Sequence, residues 1–449
     1  MSILSLSFIS LFILLLIIYW TIPDRFRNIV LLFFSWGYVL TWSWIYLLFL
    51  VGAVVISYLA GIWIDNSGTN KKKLVILSIS LVVLIGALVI VKYTNAFLAV
   101  LGISFFTFQA VSYVIDVYRG DVEIEKNFVV YALFVSFFPQ LAAGPIAKAK
   151  EQIGRYKKAR VFDLVIVEKA VVVAIYGFFL KMVIADRIGI FVDSVYANVN
   201  ETGRISIILA VLLYSVQIYC DFEGYSLIAV GIGRSLGIEL PTNFKQPYLA
   251  NNIGDFWKKW HISLTSWFRD YLYFPLGGNR KGKLRTCLNI IIVFVVSGMW
   301  HGVGGTFFVW GLLHGVLYVA ERLFIRTKKT YRVLTYIVVS WLWVFFRADN
   351  VSHAWDVMRN IIINPKGMEF SGVLAQGLNV ANLILLAIAM VVMIIIDVNS
   401  SRDVKVVDKI FEMKLPIRWI VLYALIIGII VFGVYGPGYD ATRFIYDKF

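Results

Sequence analysis

The stretch ILSLSFISLFILLLIIYW, Ile3 to Trp20, carries no charge and, at 1.5 Å per helical residue, is long enough to cross a hydrocarbon core about 30 Å thick. No basic segment precedes it, no small-residue cleavage site follows it, and further apolar runs arrive at once. It therefore reads as a retained first span and not as a signal peptide. Outward from it the same texture repeats. Of the 449 residues, 60% are hydrophobic and 15% charged, a balance that does not suit a globular surface in water. Apolar runs at 3–20, 28–42, 44–62, 74–92, 96–118, 164–192, 205–233, 286–302, 304–325, 333–346, 378–398 and 419–435 predict an all-α polytopic membrane protein with about 11–13 transmembrane helices.

The net charge of +15 is informative through its placement. Basic residues collect between the spans, at Arg25 and Arg27, Lys71 to Lys73, Lys148 to Arg160, Lys258 to Arg285, Arg322 to Arg332, and Arg402 to Arg418. In a membrane protein this marks cytoplasmic loops, and nucleic-acid binding is not implied. Placing Arg25 and Arg27 inside puts the N-terminus outside, and alternation then brings the C-terminus outside as well. Phe128 to Ala143 is apolar, yet the basic loop after it must return to the side it left. The run therefore reads as a re-entrant segment ended by Gly144-Pro145, with irregular backbone that must be covered by protein or water. Cys220 and Cys287 lie in or beside apolar stretches and read as buried thiols, since two cysteines do not make a disulfide framework. Residues 1–435 are expected to form one transmembrane domain, with 234–285 a cytoplasmic amphipathic region and 436–449 an extracytoplasmic tail.

The region 234–285 is the least membrane-like. Its centre, Asn252 to Leu264, has the pattern of a helix entered through an Asn or Asp cap. At 100° per residue Trp257, Trp260, Leu264, Trp267 and Phe268 share a stripe, His261 lies at its edge, and Lys258, Lys259, Ser266, Arg269 and Asp270 lie away from it. An interfacial helix alone would produce this pattern. A second cluster, Ser297-Gly298-Met299-Trp300-His301-Gly302-Val303-Gly304-Gly305, sets a histidine among small residues at the end of an apolar run. An ionisable group at such depth is costly and usually marks a pathway or reaction centre, with a packed interhelical histidine as the alternative. His314 reads as helix packing and His353 as surface. Asp221 and Glu223 read either as cavity lining or as helix-end snorkelling.

Several classes are disfavoured. There is no Cys cluster or HExxH spacing for zinc, no GxSxG for a serine hydrolase, and no GxxxxGK loop for an ATPase. A secondary transporter or flippase would use Asp221 and Glu223 as coupling groups and show two related halves. No convincing internal repeat is seen.

The blocks Phe138 to Ile146, Tyr219 to Ser226, Phe256 to Leu264, Trp267 to Tyr273, Pro275 to Asn279 and Ser297 to Gly302 resemble, in order, the signature segments of membrane-bound O-acyltransferases. The resemblance is greatest to the bacterial envelope branch of alginate and peptidoglycan O-acetyltransferase membrane subunits, with the teichoic-acid D-alanylation subunit as a relative. Glu223 and Leu227 stand where the alginate pattern has a small polar residue and an acid, so the polymer is left open. The resemblance implies a funnel-shaped enzyme in the bacterial cytoplasmic membrane that passes an acyl group from a cytoplasmic thioester, acetyl-CoA or an acyl carrier protein, to the outside, with no bound cofactor and no metal. By position it makes His301 the general base and His261 its second histidine. Lys258, Lys259, Trp260, Arg269 and Arg280, with Lys281, would meet a phosphate-bearing donor, while Asp221, Glu223 and Trp300 would line the cavity. It also implies an extracytoplasmic SGNH-type partner that acylates a cell-envelope polysaccharide. Past Gly436-Pro437-Gly438, the ending Phe444-Ile445-Tyr446-Asp447-Lys448-Phe449 reads F-x-Y-x-x-F and resembles the C-terminal tyrosine motif of this branch. Tyr446 is thereby expected to carry the acyl group as a phenolic ester.

Overall fold

The computed structural model describes residues 1–94, 102–141, 144–324, 331–364 and 371–435. The expected tail containing Tyr446 lies outside the described residues. The chain packs as two compact units, one built from Met1–Ala174 and Ser226–Thr242, the other from Ile175–Tyr225 and, among the described residues, 243–435.

The first unit opens with α1 (Leu6–Thr21), α2 (Asp24–Leu40), α3 (Trp44–Asp65), α4 (Asn70–Thr94) and α5 (Ile103–Arg119). The hydroxyls of Ser5 and Ser43 start α1 and α3 by accepting from the N–H groups of Phe8 and Ile45, both at 3.2 Å, which satisfies donors that have no partner inside the helix. The run expected to re-enter the membrane becomes α6 (Phe128–Ser136), a break at Phe137, and the single turn α7 (Phe138–Leu141). Both are too short to span, and every side chain from Val130 to Leu141 is buried. Protein groups satisfy the irregular backbone: Phe138 N–H donates to Ser35 Oγ (3.2 Å), and the Gln109 and Gln140 amides donate to the carbonyls of Phe134 (3.2 Å) and Pro145 (2.6 Å). At Gly144 a Cβ would lie 2.5 Å from Gln140 Cα, so the turn back admits only glycine. The basic loop that follows, including α8 (Ala149–Lys157), is anchored by Arg160. Its guanidinium donates to Tyr19 Oη (2.6 Å), to the Tyr156 carbonyl (3.1 Å) and to Asn28.

The second unit takes over a long helix begun as α9 (Leu164–Phe178), which runs through a π-helical turn at Phe179–Ala185 into α10 (Asp186–Ala197). π-turns inside α-helices place a side chain where regular winding would not. Here that side chain is Lys181, buried against Asp186 (2.7 Å) and Asp221 (2.5 Å). Asp221 lies on α11 (Arg204–Ser235), pressed close because a Cβ at Gly224 would lie 2.7 Å from the Gly177 carbonyl oxygen. There follow α12 (Ile253–Lys259), α13 (Ile262–Phe268) continued by a π-turn at Arg269–Tyr273, α14 (Lys283–His301), α15 (Gly305–Phe324), α16 (Arg332–Arg347) and α17 (Val351–Ile363). The last are α18 (Ser371–Ala375), α19 (Val380–Ser401), α20 (Val406–Glu412) and α21 (Leu415–Phe432). Beyond α21 the chain is held to the π-turn of the long helix, where Val434 N–H donates to the Met182 carbonyl (3.0 Å).

Among the described residues, seven helices are long and apolar enough to cross a membrane: α3, α4, α11, α14, α15, α19 and α21. In α19 and α21 only 17% and 6% of the apolar window is buried in protein, so nearly all of their apolar surface is left for lipid. Other expected runs are shorter helices here, such as α1 and α16, of 16 residues each: α1 starts only after its Ser5 cap, and α16 is bounded by arginines at both ends. The chain is an all-α, multi-pass membrane protein.

Candidate active site

The site is built on the α14–α15 hairpin. A Cβ at Gly298 would lie 2.2 Å from the Phe307 carbonyl oxygen, and one at Gly311 2.4 Å from the Phe294 carbonyl oxygen. The two backbones therefore touch, as small residues allow between membrane helices. His301 is the last residue of α14. Its ring is buried, with edge contacts to Trp300 (centroids 4.7 Å apart), Trp310 (5.3 Å) and Phe346 (5.2 Å).

His261 arrives from another segment. The Asn252 cap predicted from sequence is present, its side chain accepting from Asp255 N–H at 2.7 Å, but the single amphipathic helix is not. Winding stops after α12, and His261 takes the left-handed conformation, φ 42° and ψ 54°, which costs a non-glycine residue on the order of 1–3 kcal/mol. The cause is a distant strand-like stretch that captures the backbone: Ile262 N–H donates to the Asn243 carbonyl (2.8 Å) and Lys245 N–H to the Lys259 carbonyl (3.0 Å). Asn243 Oδ1 also accepts from Ser263 Oγ (2.6 Å). The kink drives the His261 ring inward against Phe222 (4.5 Å). It is 1% exposed, and neither ring nitrogen has a hydrogen-bond partner among the described residues. Burial pushes its pKa down to about 3, so the imidazole is neutral.

His261 and His301 line one cavity of about 370 Å³, with Trp257, Trp260, Phe294 and Ser297 among its walls, a size and texture suited to a small-molecule site. A second, polar chamber of about 370 Å³ shares Gly254, Lys258, Tyr318 and Arg322 with it and adds Asn251, Asn252, Asp255 and Glu321. Lys258 thus faces both spaces. Trp260 and Arg269 line the histidine cavity, although Arg269 Nε is paired to Asp270 Oδ1 (2.7 Å). Lys259 is paired to Asp255 (3.1 Å) and does not line it, and neither does Arg280, on an exposed turn.

The residues expected to line the cavity, Asp221, Glu223 and Trp300, are not among its walls. Trp300 backs both histidines, its ring 4.7 Å from His301 and 6.5 Å from His261. Asp221 is held by Lys181, whose placement 40 residues earlier in an apolar run had no visible partner in the sequence. His353 is not plain surface. It sits in the first turn of α17, with Nε2 3.0 Å from the Tyr196 carbonyl and Nδ1 3.3 Å from Asp349. His314 packs as expected, accepting at Nδ1 from Trp257 Nε1–H (3.3 Å). Sequence reasoning gave no role to Ser297, which lines the cavity one turn before His301, or to Asn243 and Glu321. Glu321 is a charge late in an apolar run, the kind of residue that at depth calls for an explanation. Among the described residues no group of three or more His, Cys, Asp or Glu is placed to hold a metal ion.

Residues 125–360 match the sequence profile of MBOAT, the membrane-bound O-acyltransferase family, a match that covers both histidines and more than half of the chain. The chain belongs to this family. It is 34% identical over 369 residues to a probable alginate O-acetylase of Pseudomonas aeruginosa, covering 75% of this chain and 70% of that protein. It is 35% identical over 373 residues to a peptidoglycan O-acetyltransferase of Helicobacter pylori, covering 72% and 71%. A teichoic acid D-alanyltransferase of Bacillus subtilis is 29% identical over 247 residues, covering 52% and 62%. This protein is accordingly a membrane O-acyltransferase of the MBOAT family.

Proposed function

We propose that this MBOAT protein O-acetylates a cell-envelope polysaccharide across the bacterial cytoplasmic membrane, taking the acetyl group from a cytoplasmic thioester. One observation carries the reading: two buried histidines from separate segments face one small cavity, and one of them leaves both ring nitrogens without a partner. Buried polar atoms are normally satisfied, so an orphaned imidazole facing a cavity points to a ligand. The adjoining polar chamber, with Lys258 and Arg322, suits the phosphates of a thioester carrier, either coenzyme A or a carrier protein.

In this reading His301 removes the proton from an acceptor hydroxyl while the oxygen attacks the thioester carbonyl. The tetrahedral intermediate collapses with loss of the thiolate, which takes the proton back from the His301 imidazolium. One ester and one thiol result from one thioester and one hydroxyl. An imidazole, which both takes and returns a proton, suits this exchange. Neutral His261 has one N–H to donate to the carbonyl oxygen as it gains charge, as a preorganised donor in a dry site. The acceptor is the Tyr446 phenol, whose ester then passes its acetyl group to a serine of an extracytoplasmic SGNH-type partner, which acylates the polymer. The resemblance of F-x-Y-x-x-F to the tyrosine motif of the envelope branch supports that part.

The test is His301→Ala and His261→Ala in cells, with alkali-released acetate from envelope polysaccharide measured per membrane-inserted enzyme. His301→Ala is expected to abolish the signal and His261→Ala to lower it at least tenfold. Wild-type acetylation by a well-inserted His301→Ala variant would defeat the assignment.

A further inference from the structure

We infer that Glu321 is a positioning residue for His261, and that one face of α15 sets the register between the two histidines; this rests on the function proposed above. Trp310, His314 and Glu321 stand four and seven residues apart in turn on α15, spacings that return to nearly the same side of a helix. Each makes a contact that the site depends on. Near the start of the helix Trp310 lies edge-on to the His301 ring, 5.3 Å between centroids. One turn later His314 Nδ1 accepts from Trp257 Nε1–H (3.3 Å), which fixes a wall of the cavity. Two turns further, the Glu321 carboxylate accepts from two backbone donors at the start of α12, Ile253 N–H at Oε2 (2.7 Å) and Gly254 N–H at Oε1 (2.9 Å).

The last contact meets two donors that α12 itself leaves open. Asn252 caps the third donor, and the fourth, Phe256 N–H, is taken by the Asn252 carbonyl (2.9 Å). The two that remain are met by a side chain 67 or 68 residues away. Charge-assisted bonds of this kind are among the stronger ones. They join a helix already locked to α14, and so to His301, with the two-turn helix whose end delivers His261. With Glu321 removed, α12 keeps its own cap, its winding and the Trp257–His314 bond but loses the charged grip on its first turn. Glu321 touches neither histidine; it acts through α12.

The experiment compares Glu321→Ala, Glu321→Gln, His301→Ala and wild type in cells, scoring envelope acetate per folded enzyme, with folded enzyme counted after detergent extraction by gel filtration and thermal midpoint. Glu321→Ala is expected to lose roughly 10- to 100-fold in rate per folded molecule, the scale of a misplacement of about 1 Å at a reacting group. Glu321→Gln, which keeps one carboxamide oxygen as acceptor, is expected to recover at least part of that loss, and its similar shape keeps the test open if the alanine variant does not fold. A glutamine variant no more active than the alanine variant, a wild-type rate per folded Glu321→Ala molecule, or a loss only in the amount of folded protein would each overturn the inference. Activity in His301→Ala would instead defeat the functional reading, whatever Glu321 does.

Discussion

Gly298→Ala probes whether the hairpin contact sets the catalytic geometry. The new Cβ would lie 2.2 Å from the Phe307 carbonyl oxygen, 3.1 Å from its carbon and 3.3 Å from Gly311 Cα. All three obstacles are backbone, so no side chain can swing aside. Reaching an ordinary contact requires α14 and α15 to part by about 1 Å, and overpacking of this kind costs about 1–3 kcal/mol, which leaves the protein folded. The chemistry suffers more, because His301 is three residues along α14 and its neighbour Trp310 is on α15. A misplacement of about 1 Å costs on the order of 100-fold in rate. The assay is envelope acetate per folded enzyme, with Gly428→Ala as control, since a Cβ there meets nothing within 4 Å. Retention of activity by Gly298→Ala within twofold of the control would show that the close hairpin is packing only, without bearing on His301.

Lys181→Met removes the cation paired with the buried carboxylates of Asp186 and Asp221, so thermal unfolding in detergent should show a loss of about 3–5 kcal/mol; if adding Asp186→Asn and Asp221→Asn recovers nothing, the ion cluster is not what stabilises this region. His261 is held near pKa 3 in the fold against about 6.5 when unfolded, so the unfolded chain binds the extra proton: stability is full above about pH 6.5 and falls by about 1.4 kcal/mol per unit toward pH 3. Between pH 6.5 and 5 the wild type should therefore lose about 2 kcal/mol more than His261→Gln, and equal losses would contradict a buried neutral imidazole. Tyr446→Phe should insert normally yet give no envelope acetate, and acetylation at the wild-type level would remove the tyrosine from the relay.

Much of the fold was legible because apolar runs state a solvent directly, as those that become α3 and α19 do. The re-entrant reading of Phe128 to Ala143 rested on the sidedness of charge, and α6 and α7 are indeed too short to span. The Asn252 cap was legible because capping is local, within three residues. What stayed hidden is non-local. The kink at His261 is made by Asn243, 18 residues away, and no periodicity within the helix announces it. Asp221 read as cavity lining because Lys181 lay in another run, and His353 read as surface because its acceptor is the backbone of Tyr196. Glu321 was visible as a lone charge in an apolar helix, but its partners are main-chain groups, which carry no sequence signature.

The bond from Val434 N–H to the Met182 carbonyl pins the chain beside the π-turn shortly before the segment that carries Tyr446. Tyr446 lies eleven residue steps beyond Tyr435, and no chain of that length reaches more than about 40 Å. On the proposed relay the acceptor phenol therefore stays within that reach of a fixed post, on the same molecule as the site that loads it. The acyl-accepting step then becomes intramolecular. Its rate is indifferent to how sparsely the enzyme is expressed, and dilution is felt only at the next handover, where a separate protein must find the loaded tyrosine.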